Sequence, residues 1–213
     1  MDPIADLRKE YSARQLDEQH VASDPMAQFK AWFDEALSAG LPEPNAMHIA
    51  TVSAEGSPSG RMVLLKGADT RGFIFYSNYQ SRKGRELEEN SRCCLTFFWP
   101  ELERQVRIEG VAHRLSSEES DAYYRSRPRG SQIGAWASPQ SSIIATRSIL
   151  EQRMQELEDR FRDLEILNRP HQWGGYVVAP AAIEFWQGRP SRLHDRLRYK
   201  LTGNDWTIDR LAP

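Results

Sequence analysis

The chain has 213 residues, of which 39% are hydrophobic and 27% charged, a composition that excludes a disordered or fibrous protein. Its 28 basic and 30 acidic residues leave a net charge of -2, which argues against a general nucleic-acid or membrane-surface binder. No apolar run approaches the roughly 18–20 residues that span a membrane. Met1 to Asp6 shows no basic segment followed by an apolar block. The two cysteines, Cys93 and Cys94, are adjacent and offer no framework for a structural disulfide. A cytoplasmic chain is expected.

In chain order, Ile4 to Tyr11 reads as weakly helical, and Ser12 to Ser23 is polar and aperiodic, a mobile arm. Asp24-Pro25 is a helix start, with Asp as the cap and Pro at the first position. Met26, Phe29, Phe33, Ala36 and Leu37 follow at helical spacing, and Gly40 ends the run. Ala46 to Ser53 reads as a strand and Glu55-Gly56 as a turn. Arg61 to Lys66 is an apolar run between two cations, the pattern of a strand buried on both faces. Phe73 to Tyr76 is a further strand. Ser81 caps a short helix to Glu89. Cys93 to Trp99 and Gln105 to Leu115 read as strands, the second with one polar face. Ser116 to Glu119 matches a capping box and opens a helix that ends before Pro128. Leu150, Met154, Leu157, Phe161 and Leu164 mark a charged helix. Three strands follow Pro170: Gly175 to Val178 or beyond, Arg192 to Leu201, and Trp206 to Leu211. This order suggests one antiparallel sheet or barrel with helices packed outside.

The nucleotide loops G-x-G-x-x-G and G-x-x-x-x-G-K-[ST] are absent, as is G-x-S-x-G. The five His residues are scattered and support no zinc site. The chemistry therefore rests on less regular groupings. Arg61 and Lys66, five apart on one strand, would point to opposite faces. Ser81-Arg82-Lys83-Gly84 places two cations in the first turn of a helix, where the macrodipole disfavours them, a hint of an external anion. Tyr123 to Ser131 carries Arg125, Arg127 and Arg129, and Pro128 forces Arg127 into extended geometry, which suits a second phosphate. Gln140-Ser141-Ser142 offers an amide and hydroxyls. On a strand, Arg192, His194 and Arg196 would share one face, where their charges need an anionic or aromatic partner.

Taken in order, these segments resemble the pyridoxine (pyridoxamine) 5′-phosphate oxidase family over essentially the whole chain, from Leu7-Arg8-Lys9-Glu10-Tyr11 to Asp209-Arg210-Leu211-Ala212-Pro213. The most specific stretches are Arg61–Lys66, Ser126-Arg127-Pro128, Ser131-Gln132-Ile133-Gly134-Ala135, Gln140-Ser141-Ser142, and Phe185-Trp186-Gln187-Gly188 with Arg192-Leu193-His194-Asp195-Arg196. The resemblance implies a mainly β chain with flanking helices (α+β), an FMN-binding split β-barrel over residues 24–213. Residues 1–23 would be a mobile arm or lid. It implies a homodimer with FMN at the subunit interface. FMN would be held by Arg61, Met62, Val63, Leu64, Leu65, Lys66, Tyr76, Ser77, Arg82, Lys83, Gln105, Gln140 and Ser141, with Trp186 and Arg196 from the other subunit. The substrate phosphate would meet Lys66, Tyr123, Arg127 and Ser131. Arg192 and His194 would lie against the pyridine ring as the catalytic pair, and Arg8 and Tyr11 would close over the substrate. The implied reaction oxidises pyridoxine or pyridoxamine phosphate to pyridoxal phosphate, with O2 reduced to hydrogen peroxide.

Some relatives carry an Arg-rich run, associated with a regulatory product site, where this chain reads Arg14-Gln15-Leu16-Asp17-Glu18. The acids put that inhibition in doubt. Three rivals remain: a split-barrel flavin oxidase of phenazine biosynthesis, a non-catalytic FMN or pyridoxal phosphate carrier, and an RNA-binding barrel. The Ser126-Arg127-Pro128 and Ser131 set argues against the first, Arg192 with His194 against the second, and the net charge against the third.

Overall fold

The computed structural model describes residues 7, 10–12 and 14–213. Five helices flank one antiparallel sheet. In chain order the elements are α1 (Pro25–Ser38), β1 (Ala46–Val52), β2 (Pro58–Leu64), β3 (Gly67–Asp69), β4 (Gly72–Asn78), α2 (Arg82–Glu89), β5 (Arg92–Trp99) and β6 (Arg104–Arg114). They continue with α3 (Ser117–Ser126), α4 (Arg129–Ala137), α5 (Ser148–Phe161), β7 (Trp173–Gln187), β8 (Asp195–Thr202) and β9 (Asp205–Arg210). The strand order is β2-β1-β5-β6-β7-β4-β3, and β8 and β9 branch from β7.

Strand β7 makes the sheet fork. It pairs with β6 along its length, with β4 through Trp173–Val178, and with β8 through Ala182–Gln187. At the division sits Pro180, which has no N–H to give the ladder. The register against β6 shifts there, between Glu109 and Gly110. Gly110 is required at this bulge, because a Cβ would stand 2.3 Å from the Ala179 carbonyl oxygen. The sheet thus curls into a half-barrel whose two lips diverge from one long strand.

The inner face is aromatic. Phe29 of α1 meets Phe73 at 4.8 Å and Phe97 at 5.2 Å, and Trp32 meets Phe185 edge-on at 5.2 Å. Each fully buried ring contributes roughly 1.5–3 kcal/mol, so α1 is fastened by its apolar stripe rather than by its ends. The Asp24 side chain accepts from the Met26 and Ala27 N–H groups, as its cap position requires. A smaller core of Tyr124, Ile133, Phe161, Leu167 and Trp173 lies beneath α3, α4 and α5.

Four expectations change. The Arg61–Lys66 strand is not buried on both faces. It is the end of β2, an edge strand whose alternate residues Met62 and Leu64 are exposed. The run reads as buried because it is apolar, but only the face that carries Arg61 and Val63 turns inward, and no described residue covers the face of Met62 and Leu64. The strand also stops at Leu64, so Arg61 and Lys66 are not two faces of one strand. Lys66 instead opens the β3–β4 hairpin, its N–H donating to Ile74 O. The helix that ends before Pro128 is followed at once by a second one unread in the sequence, α4, which carries Ser131, and β3 goes unread because it is three residues long. Arg192 and His194 precede β8. Ser191 and Arg192 have φ of 56° and 61°, in a turn where side-chain alternation does not apply. Finally, α5 ends at Phe161 and leaves Leu164 exposed.

Of the helix expected over Ile4 to Tyr11, residues 4–6, 8 and 9 lie outside the described residues, and Leu7, Glu10 and Tyr11 are not helical. Further on, the segment 14–23 is tied to the sheet. Leu16 is buried and its N–H donates to Asp195, Arg210 donates to Glu18 and to Leu16 O, and Tyr199 donates to Ala22 O.

Candidate active site

Strand β4 separates two groups of side chains through adjacent residues on opposite faces. Ser77 turns toward the start of α2. There the Ser81 hydroxyl accepts from the Gly84 N–H, and Gly84 is needed because a Cβ would strike Tyr79 O at 2.1 Å. Lys83 is buried in this first turn. Its Nζ donates to Ser77 Oγ at 3.0 Å, Ser81 Oγ at 3.3 Å and Gln140 Oε1 at 2.9 Å, all of them neutral acceptors. Burial, then the nearby Arg61 charge, push the ammonium down to about 8. Arg61, on the inner face of β2, donates to Thr51 and Ser59 and pairs with Glu86 at 3.3 Å, and Arg82 pairs with Glu86 at 2.8 Å. Three cations thus surround one carboxylate. Ser141, next to Gln140, is exposed and has a φ of 71°.

Tyr76 turns the other way. Its ring stacks on Tyr123 of α3 at 3.8 Å and on Trp173 at 5.5 Å. Burial, then the neighbouring Tyr123, raise the Tyr76 phenol. Arg127 lies over the Trp173 ring at 4.6 Å, held in extended backbone before Pro128 as the sequence requires. Its Nη1 is buried and has no hydrogen-bond partner, and burial lowers its pKa. Such a bare guanidinium nitrogen is costly unless a ligand completes it. Ser131 is exposed in the first turn of α4, whose start no side chain caps.

A third group lies at the far end of β7. Gln105, Trp186 and Arg196 pair in register across β6, β7 and β8, so they share the outer face. Arg196 bonds to Glu184 and to Ala212 O. His194 packs on Trp186 at 4.6 Å, and Tyr11 meets both rings edge-on at 5.6 and 5.7 Å. Gly188 makes room for Tyr11, since a Cβ would reach its Cγ at 2.6 Å. The Arg189 N–H donates to His194 Nδ1, which leaves Nε2 to carry the proton of the neutral ring. Burial, then Arg192, lower the His194 pKa. Tyr11, Arg192 and His194 line a cavity of about 680 Å³.

The structure therefore gathers Arg61, Ser77, Arg82, Lys83 and Gln140; Tyr76, Tyr123 and Arg127, with Ser131 on the adjoining helix start; and Tyr11, Gln105, Trp186, Arg192, His194 and Arg196. Lys66 stands apart, exposed in an apolar groove beside α1 with Phe33 and Lys30. Met62 and Leu64 face outward, Val63 is half-buried on the face of Arg61, and Leu65 is buried past the strand end. Arg8 lies outside the described residues. Sequence reasoning missed Glu86 and Glu184. Each is a nearly buried acid that neutralises two arginines, and the signal for Glu184 was a lone acid inside an apolar strand. Among the described residues no group of three or more His, Cys, Asp or Glu could hold a metal, and no helix is long and apolar enough to cross a membrane.

Comparisons with known proteins bear on the same stretches. The pyridoxamine 5′-phosphate oxidase family model matches residues 33–161, and the model of the pyridoxine 5′-phosphate oxidase C-terminal dimerisation region matches 173–213. Pyridoxine/pyridoxamine 5′-phosphate oxidases of Salinibacter ruber and Trichormus variabilis are 55% and 58% identical, covering 100% and 99% of this chain and 100% and 98% of theirs. Among solved structures, PhzG from Burkholderia lata, in complex with tetrahydrophenazine-1-carboxylic acid, superposes with a TM-score of 0.89 at 33% identity, over 96% of this chain and 100% of that one. An FMN-binding, pyridoxamine 5′-phosphate oxidase-related protein of Nostoc punctiforme shares the fold, with a TM-score of 0.69 at 15% identity over 87% and 97% of the two chains. The curled, mainly β sheet with flanking helices is thus a split barrel of this kind, and the chain belongs to the pyridoxamine 5′-phosphate oxidase family.

Proposed function

We propose that this chain is an FMN-dependent oxidase, working in the cytoplasm as a homodimer, that converts pyridoxine 5′-phosphate, or pyridoxamine 5′-phosphate with uptake of water and release of ammonia, to pyridoxal 5′-phosphate while O2 becomes H2O2. The observation that carries this reading is the pair of cation sites on opposite sides of β4: buried Lys83, whose three acceptors are all neutral, and Arg127 with a bare Nη1. Two separate phosphates, one on a flavin nucleotide and one on a substrate, meet that demand.

FMN fits the donor set. Arg61, Arg82 and Lys83 exceed Glu86 by two positive charges, close to the -1.5 to -2 that a phosphate monoester carries. Arg61 to Lys66, Tyr76, Ser77, Arg82, Lys83, Gln140 and Ser141 would hold it, with the partner subunit's Trp186 and the partner subunit's Arg196; Gln105, in register beside Trp186, would come with them from the second copy. The case for a partner starts from β7. Trp173 and Trp186 stand thirteen residues apart on it, about 40 Å of extended chain. The two groups thus lie at opposite ends of one long strand, and in this reading the His194 group of one copy serves the Arg127 group of another. Exposed Met62, Leu64 and Phe98 on the outer face supply an apolar surface for the contact.

Bound FMN supplies the two-electron acceptor that O2 regenerates. The protein's own work is placement. Tyr123, Arg127 and Ser131 would fix the substrate phosphate and so orient the ring. Arg192 and His194, the latter protonated at Nε2, would offset charge on the ring oxygen and the reacting carbon. Tyr11 and Arg8 would cover the site. The test is the visible spectrum of the purified protein without oxygen, before and after pyridoxine phosphate. Bleaching of bound flavin is the expected result. A yellow protein that does not bleach refutes the substrate, and one that stays colourless after reconstitution with FMN refutes the whole reading.

A further inference from the structure

Glu86 is the one carboxylate inside the cation cluster, and nothing in the functional reading requires it. It is only 4% exposed, yet it sits in the site meant for a dianion. Its Oε2 accepts from Thr51 Oγ1 on β1 at 2.5 Å, from Ser59 Oγ on β2 at 2.6 Å and from Arg61 Nη2 at 3.3 Å, and its Oε1 accepts from Arg82 Nε at 2.8 Å. Burial opposes its ionisation, but the bonds from Ser59, Thr51, Arg82 and Arg61 outweigh that and hold it down at about 2. It is therefore ionised whenever the protein is folded near neutral pH.

The bond pattern shows what that charge does. Arg82 is held by Nε alone, which leaves its terminal nitrogens free on a side chain 57% exposed. Arg61 is fixed by Thr51, Ser59 and Glu86 together. Without an acid among them, Arg61, Arg82 and Lys83 would repel one another, and two long guanidinium side chains would sample many rotamers before any phosphate arrived. We propose that Glu86 is a positioning residue that locks Arg61 and Arg82 toward the cofactor phosphate, and so sets the preference of this protein for FMN over unphosphorylated flavin. The proposal rests on the FMN reading above.

The test is titration of the full-length, flavin-stripped protein with FMN and with riboflavin, followed by flavin fluorescence. The wild-type protein is expected to bind FMN far more tightly; failure to bind either flavin would sink the FMN reading rather than this one. In Glu86→Gln the ratio of the two dissociation constants should fall by about tenfold or more, because charge-assisted bonds that orient the cations are lost. Riboflavin affinity should move less than about twofold. Equal weakening of both flavins would reduce Glu86 to a structural group, and tighter FMN binding would make it a competitor of the phosphate; either overturns the proposal. Should Glu86→Gln fail to fold, Arg82→Leu, at an exposed side chain, must produce the same selective loss of FMN, and an unchanged ratio there overturns it too.

Discussion

Replacing Arg127 by Ala isolates the substrate phosphate from the rest of the site. The guanidinium lies 4.6 Å over Trp173, and its Nη1 is buried without a partner, so the side chain spends little of its bonding within the fold. A cation–π contact of this kind contributes roughly 0.5–2 kcal/mol, which for a chain of this size lowers Tm by about 1–8 °C. A charge-assisted bond to phosphate contributes about 1.5–3 kcal/mol, or roughly a 10- to 150-fold rise in KM for pyridoxine phosphate. Flavin content should not change, because Lys83 and its acceptors lie on the other side of β4. Steady-state kinetics with pyridoxine phosphate and with unphosphorylated pyridoxine, on protein of measured flavin content, test this. An unchanged KM, or an equal loss for both substrates, would refute the assignment of the bare Nη1 to a phosphate.

Lys83 gives a pH prediction with a definite sign. Its folded value is about 8 against an ordinary 10.5, so between those limits the unfolded chain holds a proton that the folded one has released. Apoprotein stability should therefore rise from pH 8 to 10, and the slope should be shallower in Lys83→Met; identical thermal-melt slopes in the two proteins would refute this. Phe98→Glu places a charge on the exposed apolar outer face beside Gln105. It should shift sedimentation from dimer to monomer with loss of flavin, and a flavin-loaded dimer would exclude that face from the interface. Arg192→Ala should lower kcat far more than flavin retention, since Arg192 lines the His194 cavity and not the Lys83 cradle; parallel loss of both would refute the division of roles.

Elements with local signals were legible in the sequence. Asp24-Pro25, Ser81 and the Ser116–Glu119 box each announce a helix that forms there, and each cap bond is made. What escaped was decided at a distance. An apolar run says nothing of whether both faces of a strand are covered, so Met62 and Leu64 read as core and lie outside. Helix α4 starts at Pro128 with no side-chain cap. The turn at Ser191 and Arg192 takes a left-handed backbone without the glycine that would have marked it. For the same reason the grouping of Arg192 with His194 was found through the wrong geometry. They meet at a strained turn beside Trp186, not by alternation on a strand.

The fork in β7 links these observations. Pro180 withholds one ladder bond and Gly110 absorbs the bulge, so the first half of β7 serves β4 and the second serves β8. A straight, uninterrupted strand would have kept both halves in one flat sheet. The cation sites are carried on the β4 side and the His194 turn on the β8 side, which leaves neither half with a full set of groups for binding and chemistry. Assembly then becomes a condition of activity. In the proposed reading, a chain that folds but stays alone keeps Lys83 and Arg127 beside the first half of β7 and Arg192 and His194 beyond its far end. On this account loss of dimerisation should abolish turnover together with tight flavin binding, because the proposed site takes Trp186, Arg192, His194 and Arg196 from the other copy.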